Sequence, residues 1–183
     1  PDRIILTFNG NPSTKRAVTW RTDSSVKKAE AQIAVAGINS DFVKEASTYT
    51  ANTEEFDLGL YKSNKSLIVN YHSVVFENLK PNTLYAYRVG FAENWSEWIQ
   101  FKTAKDTYSP TQFVYFGDAQ NDILNHWSRV IRMAYKTAPD ASFVIHAGDL
   151  VDSAHKDNEW AQWFKAGGFI HSQWTAIPVV GNH

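Results

Sequence analysis

The sequence predicts two domains of different class: an all-β sandwich over residues 1–104, then the first βαβαβ part of an α/β domain over residues 105–183. Three observations predict this. The first half holds short segments in which apolar and polar residues alternate, the period of a half-buried strand. After a polar junction at residues 105–110, compact apolar runs alternate with segments of helical spacing. Each of those three runs ends in glycine followed by an oxygen-bearing side chain.

The elements follow in order. Arg16 to Thr22 alternates, with Val18 and Trp20 on one face. Residues 66–79 hold a long β-rich run that includes Leu67-Ile68-Val69 and Ser73-Val74-Val75-Phe76. Residues 83–91 put Tyr85, Tyr87, Val89 and Phe91 on one side, and Ile99 and Phe101 continue the pattern. Asn9-Gly10-Asn11-Pro12, Asp23-Ser24-Ser25 and Lys80-Pro81-Asn82 supply turns. In the second half, residues 112–116, 142–147 and 176–180 are the strands. Ile123, Leu124, Trp127, Val130, Ile131 and Ala134 form one amphipathic helix, and Trp160, Trp163 and Phe164 mark another. Alternating strands and helices imply right-handed crossovers and a parallel sheet. Three strands are few for such a sheet, normally buried on both faces. Residues 105–183 are therefore expected to open a larger domain within a longer polypeptide.

Composition narrows the function. The chain has 183 residues, 43% hydrophobic and 20% charged, enough to bury a core. Eighteen Lys and Arg against nineteen Asp and Glu leave a net charge of -1. That excludes nucleic-acid binding by bulk charge. No apolar run reaches the roughly 18 residues of a membrane span. The absence of cysteine excludes disulfides, thiolate metal sites and cysteine nucleophiles. No signal peptide is legible at Pro1, which leaves the compartment open.

The chemistry concentrates at the strand ends: Gly117-Asp118, Gly148-Asp149 and Gly181-Asn182, with His183 next. In a parallel sheet these tips open onto one edge, where sites of open α/β folds form. Asp118, Asp149 and Asn182 should converge there despite their separation in sequence. Two carboxylates that meet repel unless a cation lies between them. A pair of divalent ions, one carboxylate bridging both, meets that need.

Gly117-Asp118-Ala119-Gln120, Gly148-Asp149-Leu150-Val151-Asp152 and Gly181-Asn182-His183 resemble the first three motifs of the calcineurin-like metallophosphoesterases. The first half narrows the resemblance. Val18-Thr19-Trp20-Arg21-Thr22, the run from Leu79 to Gly90, Trp95-Ser96-Glu97-Trp98 and Phe101-Lys102-Thr103 resemble the fibronectin type III-like N-terminal domain of purple acid phosphatases. The resemblance implies that Asp118 binds a first metal, Asp149 bridges two, Asn182 binds the second, and His183 contacts the phosphate and assists the leaving group. It implies hydrolysis of small phosphate esters, two divalent ions drawn from Fe, Mn, Zn or Mg, and an extracytoplasmic setting. A phosphodiesterase or nucleotidase of the same superfamily is an alternative, as is a non-catalytic β-sandwich module beside a degenerate phosphatase domain.

Two departures stand out. Asp152 occupies the position at which purple enzymes carry a metal-binding tyrosine, so the purple colour is not expected. Gln120 stands where other metallophosphoesterases have histidine, and it offers a neutral oxygen as a possible ligand. The family's later histidine motifs do not occur in these residues, so this chain alone is expected to have little activity and weak metal affinity.

Blander roles are assigned elsewhere. Leu79-x-Pro81-x-Thr83-x-Tyr85 reads as a tyrosine corner that pins a sandwich. Trp127, Trp160 and Trp163 read as core. Trp95 and Trp98 read as packing rather than a sugar platform. His146 reads as a core histidine with one hydrogen bond, and His72, His126, His155 and His171 as surface or packing residues. Lys15-Arg16 and Lys27-Lys28 read as solvated charge pairs.

Overall fold

A computed structural model describes residues 1–59 and 67–183. The chain divides into two compact units, Pro1–Ser109 and Pro110–His183.

The first unit is a β-sandwich of the fibronectin-like kind. One sheet contains β1 (Asp2–Thr7), β2 (Arg16–Asp23), β5 (Asn52–Asp57) and β6 (Ile68–Phe76), in the order β1-β2-β6-β5. The other contains β3 (Glu30–Val35), β4 (Ser47–Thr50), β7 (Leu84–Phe91) and the two-residue β8 (Asn94–Trp95), in the order β4-β3-β7-β8, with β9 (Ile99–Lys102) also on β7. A 3-10 turn, Ser40–Glu45, lies between β3 and β4. All pairings are antiparallel; Trp20 faces His72 across β2 and β6, and Ile33 faces Tyr87 across β3 and β7. Val18 and Trp20 are fully buried, as their alternation requires, and meet Tyr85, Tyr87, Val89 and Phe101 in one core. The Tyr87 ring touches Phe76 and Phe101 at 5.9 and 5.8 Å. Phe91, expected on the same side, is only partly buried against this core.

Local devices fix the sandwich. The Tyr85 hydroxyl accepts the Lys80 backbone N–H at 2.8 Å, which is the tyrosine corner. Thr103 Oγ1 accepts the Thr83 N–H and donates to the Lys80 carbonyl, tying the β9 end to that turn. Trp95 and Trp98 pack on the Arg88 guanidinium at 4.5 and 4.8 Å, so their faces are occupied by a cation.

Several expectations change. Arg16 is not solvated: it is 2% exposed, between the rings of Phe8 and Phe101. Its Nη2 donates to the Pro12 and Lys102 carbonyls at 3.4 Å. The strand expected from residue 66 runs over Ile68–Phe76; Ser66 itself lies outside the described residues. Strands β1, β3, β4 and β5 lacked a clear signal. β4 and β5 are polar edge strands, Ser-Thr-Tyr-Thr and Asn-Thr-Glu-Glu-Phe-Asp, with no buried face to impose alternation.

The second unit is a parallel sheet, β10 (Val114–Phe116), β11 (Phe143–Ala147) and β12 (Thr175–Val179), with β11 central. Phe116, His146 and Pro178 share one register level. The first crossover begins as a π-helical turn, Ile123–Trp127, and continues as α1 (Ser128–Thr137). Ile123, Trp127 and Ile131 face inward, whereas Leu124 and Val130 are exposed. The second crossover contains α2 (Asp157–Gly167) and a one-turn α3 (Ile170–Gln173), which the sequence did not announce. Trp127 and Trp163 are core; Trp160 is half-buried and donates from Nε1 to the Ala154 carbonyl. No helix among the described residues is long and apolar enough to cross a membrane.

Candidate metal centre

The three parallel strands end on one edge, with Asp149 on the central strand between the tips that carry Asp118 and Asn182. The chain leaves both acidic tips in the left-handed region: Asp118 has φ +52 and Asp149 has φ +48. Aspartate tolerates this conformation better than most residues, at a cost of roughly 1–2 kcal/mol. Such strain persists only where the surroundings over-determine it, and it clusters at functional sites.

The surroundings of Asp149 are specific. Its Oδ1 accepts the backbone N–H of Asn182 at 2.9 Å and that of His183 at 3.2 Å. The loops after β11 and β12 are thereby sewn together through one carboxylate oxygen. Leu150 and Val151 are buried and anchor the segment that follows. The glycines differ in function. Gly148 has φ +90, which a side chain would resist. Gly181 is required by proximity, since a Cβ there would overlap the Asp149 carboxylate and backbone nitrogen. At Gly117 a Cβ would meet nothing within 4 Å, so space requires glycine at Gly181 and backbone conformation requires it at Gly148, and neither reason applies at Gly117.

His183 Nδ1 lies 3.0 Å from the Asp152 carbonyl and 3.6 Å from its carboxylate. A carbonyl only accepts, so this contact places the proton on Nδ1 and leaves Nε2 as the free edge. Asp149, Asn182, His183 and Asp152 thus form one directly contacting group. Asp118 and Gln120 lie beyond the neighbouring strand tip, with no hydrogen bond to that group among the described residues. Asp118 is exposed, and it caps no helix: the π-helical turn begins at Ile123, with Asp122 as its N-cap residue and no side-chain cap.

One observation bears on whether these residues suit a cation. Gln120 Oε1 is buried and has no hydrogen-bond donor among the described residues. An orphaned acceptor is costly unless something electropositive meets it. By type, the carboxylates of Asp118 and Asp149 and the amide oxygens of Gln120 and Asn182 are hard donors of the kind that suit divalent cations such as Mg, Mn or Zn. Among the described residues no three His, Cys, Asp or Glu side chains gather as a metal cluster.

The purple acid phosphatase N-terminal domain family model matches residues 1–103. The chain belongs to that family. This purple acid phosphatase-type chain is 28% identical over 160 residues to human (Homo sapiens) acid phosphatase type 7, covering 86% of the chain and 34% of that protein. It therefore spans about a third of the length of the curated relative it matches. Purple acid phosphatase PPD1 from yellow lupin (Lupinus luteus) seeds superposes with a TM-score of 0.76 at 19% identity, over 98% of this chain and 35% of that one. PhoD superposes with a TM-score of 0.65 at 13% identity, over 98% and 38%. At these identities the two structures show a shared fold.

Proposed function

We propose that this chain belongs to a metal-dependent phosphoesterase acting on small phosphate monoesters, with residues 1–104 a supporting sandwich and residues 105–183 the opening part of the catalytic domain. The observation that carries this reading is the Asp149 carboxylate: on the central strand tip, in left-handed backbone, and bonded to the N–H groups of Asn182 and His183. Asp118 and Gln120 would hold a first cation with Asp149, and Asp149 and Asn182 a second. Such ions, when bound, would supply Lewis-acid polarisation of the phosphate and would lower the pKa of a water toward neutrality.

The chain's own groups have distinct tasks. Asp149 Oδ1 accepts from two backbone donors, which fixes the carboxylate and leaves Oδ2 to serve as the ligand atom. Asp152 fixes the His183 ring through Nδ1. The neutral ring then offers only a lone pair at Nε2. The protonated ring offers an N–H there, which can bond a phosphate oxygen and pass its proton to the leaving oxygen. The Asp152 carboxylate faces the positive ring that this role needs. An extracytoplasmic location forms part of the same reading and rests on family resemblance.

The test uses the longer protein with the residues that follow His183. Hydrolysis of p-nitrophenyl phosphate should be abolished by Asp149→Asn with the circular dichroism spectrum unchanged. Unaffected turnover overturns the bridging role. Stoichiometric binding of divalent ions should accompany activity; its absence favours a non-catalytic module. Preference for bis-p-nitrophenyl phosphate would replace the monoesterase reading with a diesterase.

A further inference from the structure

The second unit buries two histidines that the proposed chemistry does not use. His146, on β11, is 2% exposed and His171, on α3, 1%. Their rings lie 6.0 Å apart in an aromatic enclosure. Trp163 stacks on His171 at 4.0 Å and meets His146 edge-on at 5.1 Å. Trp127 lies 5.9 Å from both, Phe116 packs on His146 and Phe164 on His171. A Cβ at Gly167 would collide with the His171 ring, so the last turn of α2 is shaped around that imidazole.

The expected single hydrogen bond of His146 is not made. Neither of its ring nitrogens has a partner among the described residues, nor has His171 Nδ1. His171 Nε2 lies 3.3 Å from the Trp163 carbonyl, which assigns the hydrogen to Nε2. Among the described residues no carboxylate bonds either ring. On α2, Glu159 is engaged by Lys156 and the Ser153 N–H. On the π-helical turn, His126 faces Asp122 at 4.0 Å, both largely exposed. The neighbouring His146 opposes a charge on His171.

We propose that His146 and His171 form a proton-triggered latch: a proton on either ring unseats the α2–α3 layer from β11 and loosens the strand-end loop between them. A charged imidazole in this enclosure would lack both water and an anion, a state that a packed apolar site does not tolerate. Each ring also repels a charge on the other. Burial holds His146 down to about 4, and burial with the neighbouring His146 holds His171 down to about 3. The neutral pair is thus stable near neutrality, and acid acts through the unlatched state, in which both rings titrate normally.

Amide hydrogen exchange on the 183-residue chain, corrected for intrinsic pH dependence, reads this directly. Protection in residues 157–173 should fall about tenfold per pH unit for each proton taken up on opening, from just below the ordinary imidazole range down to about pH 4. The double variant His146→Phe, His171→Phe should flatten that dependence, and His171→Gln should reduce it if the double variant does not fold. Protection in residues 157–173 that is constant over this range in the natural chain overturns the latch. So does an equal fall in a folded variant lacking both imidazoles.

Discussion

Replacing Gly181 by alanine tests how the two central loops are joined. The backbone at Gly181 is not left-handed, so alanine adds no conformational strain there. Its cost is contact alone. The new methyl would overlap the Asp149 carboxylate and backbone nitrogen, with Asp149 Cγ at 2.7 Å. The carboxylate must turn away, which breaks its bonds to the Asn182 and His183 N–H groups. Hydrogen bonds to a charged acceptor contribute about 1.5–3 kcal/mol each. Both donors lie in exposed residues and regain water, so the loss should fall below the sum of the two, about 2–3 kcal/mol in all. For a unit of this size 1 kcal/mol shifts Tm by about 4–8 °C, giving a drop of roughly 10–20 °C in the transition of the second unit. Scanning calorimetry measures it. Gly117→Ala is the control, since a Cβ there meets open space and should change stability by no more than about 0.5 kcal/mol. If both variants melt together with the natural chain, the close approach does not hold the loops and the Asp149 argument fails.

Asp118→Gly relieves a left-handed aspartate and should raise stability in urea by up to about 1 kcal/mol while weakening divalent-ion binding in the longer protein; a stability loss above that would refute the strain. Arg16→Met should be neutral or stabilising within about 1 kcal/mol, because it removes a desolvated cation whose Nε and Nη1 lack partners among the described residues and keeps an apolar chain between two rings. Arg16→Ala should instead cost about 2–4 kcal/mol in the same urea titration, through the cavity it leaves. Tyr85→Phe should cost about 0.5–1.5 kcal/mol by orphaning the Lys80 N–H, read as a shifted urea midpoint at constant slope. His72 is held below its ordinary value of 6.5, chiefly by burial, so the unfolded chain binds more protons and the first unit should lose stability as pH falls through that value. His72→Gln should reduce the slope in pH-dependent urea titrations.

The strand ends were legible because their signal is local and repeated. A compact apolar run that stops at glycine plus an oxygen donor states where a strand ends and what stands there. The core of the sandwich was equally legible in Val18, Trp20, Tyr85, Tyr87 and Phe101, since period-two alternation is imposed by a single buried face. Edge strands β4 and β5 left no such trace. Arg16 was misplaced as solvated because its burial comes from Lys102, 86 positions later, and from the rings of Phe8 and Phe101, which lie far apart in sequence.

The sequence by itself determined the period of each element, the class of each half and the order of the oxygen donors along the chain, because these depend on neighbours a few residues away. Only the tertiary structure decided that Asp149 Oδ1 fastens the third tip to the second, that Gly181 is held by contact while Gly117 is free, and that Asp152 faces His183. It alone enclosed His146 and His171 together, 25 positions apart in sequence and 6.0 Å between rings. Those facts depend on distances between segments that only meet when the sheet forms, and burial, which governs the cost of every unpaired charge, is a property of that meeting rather than of the residue.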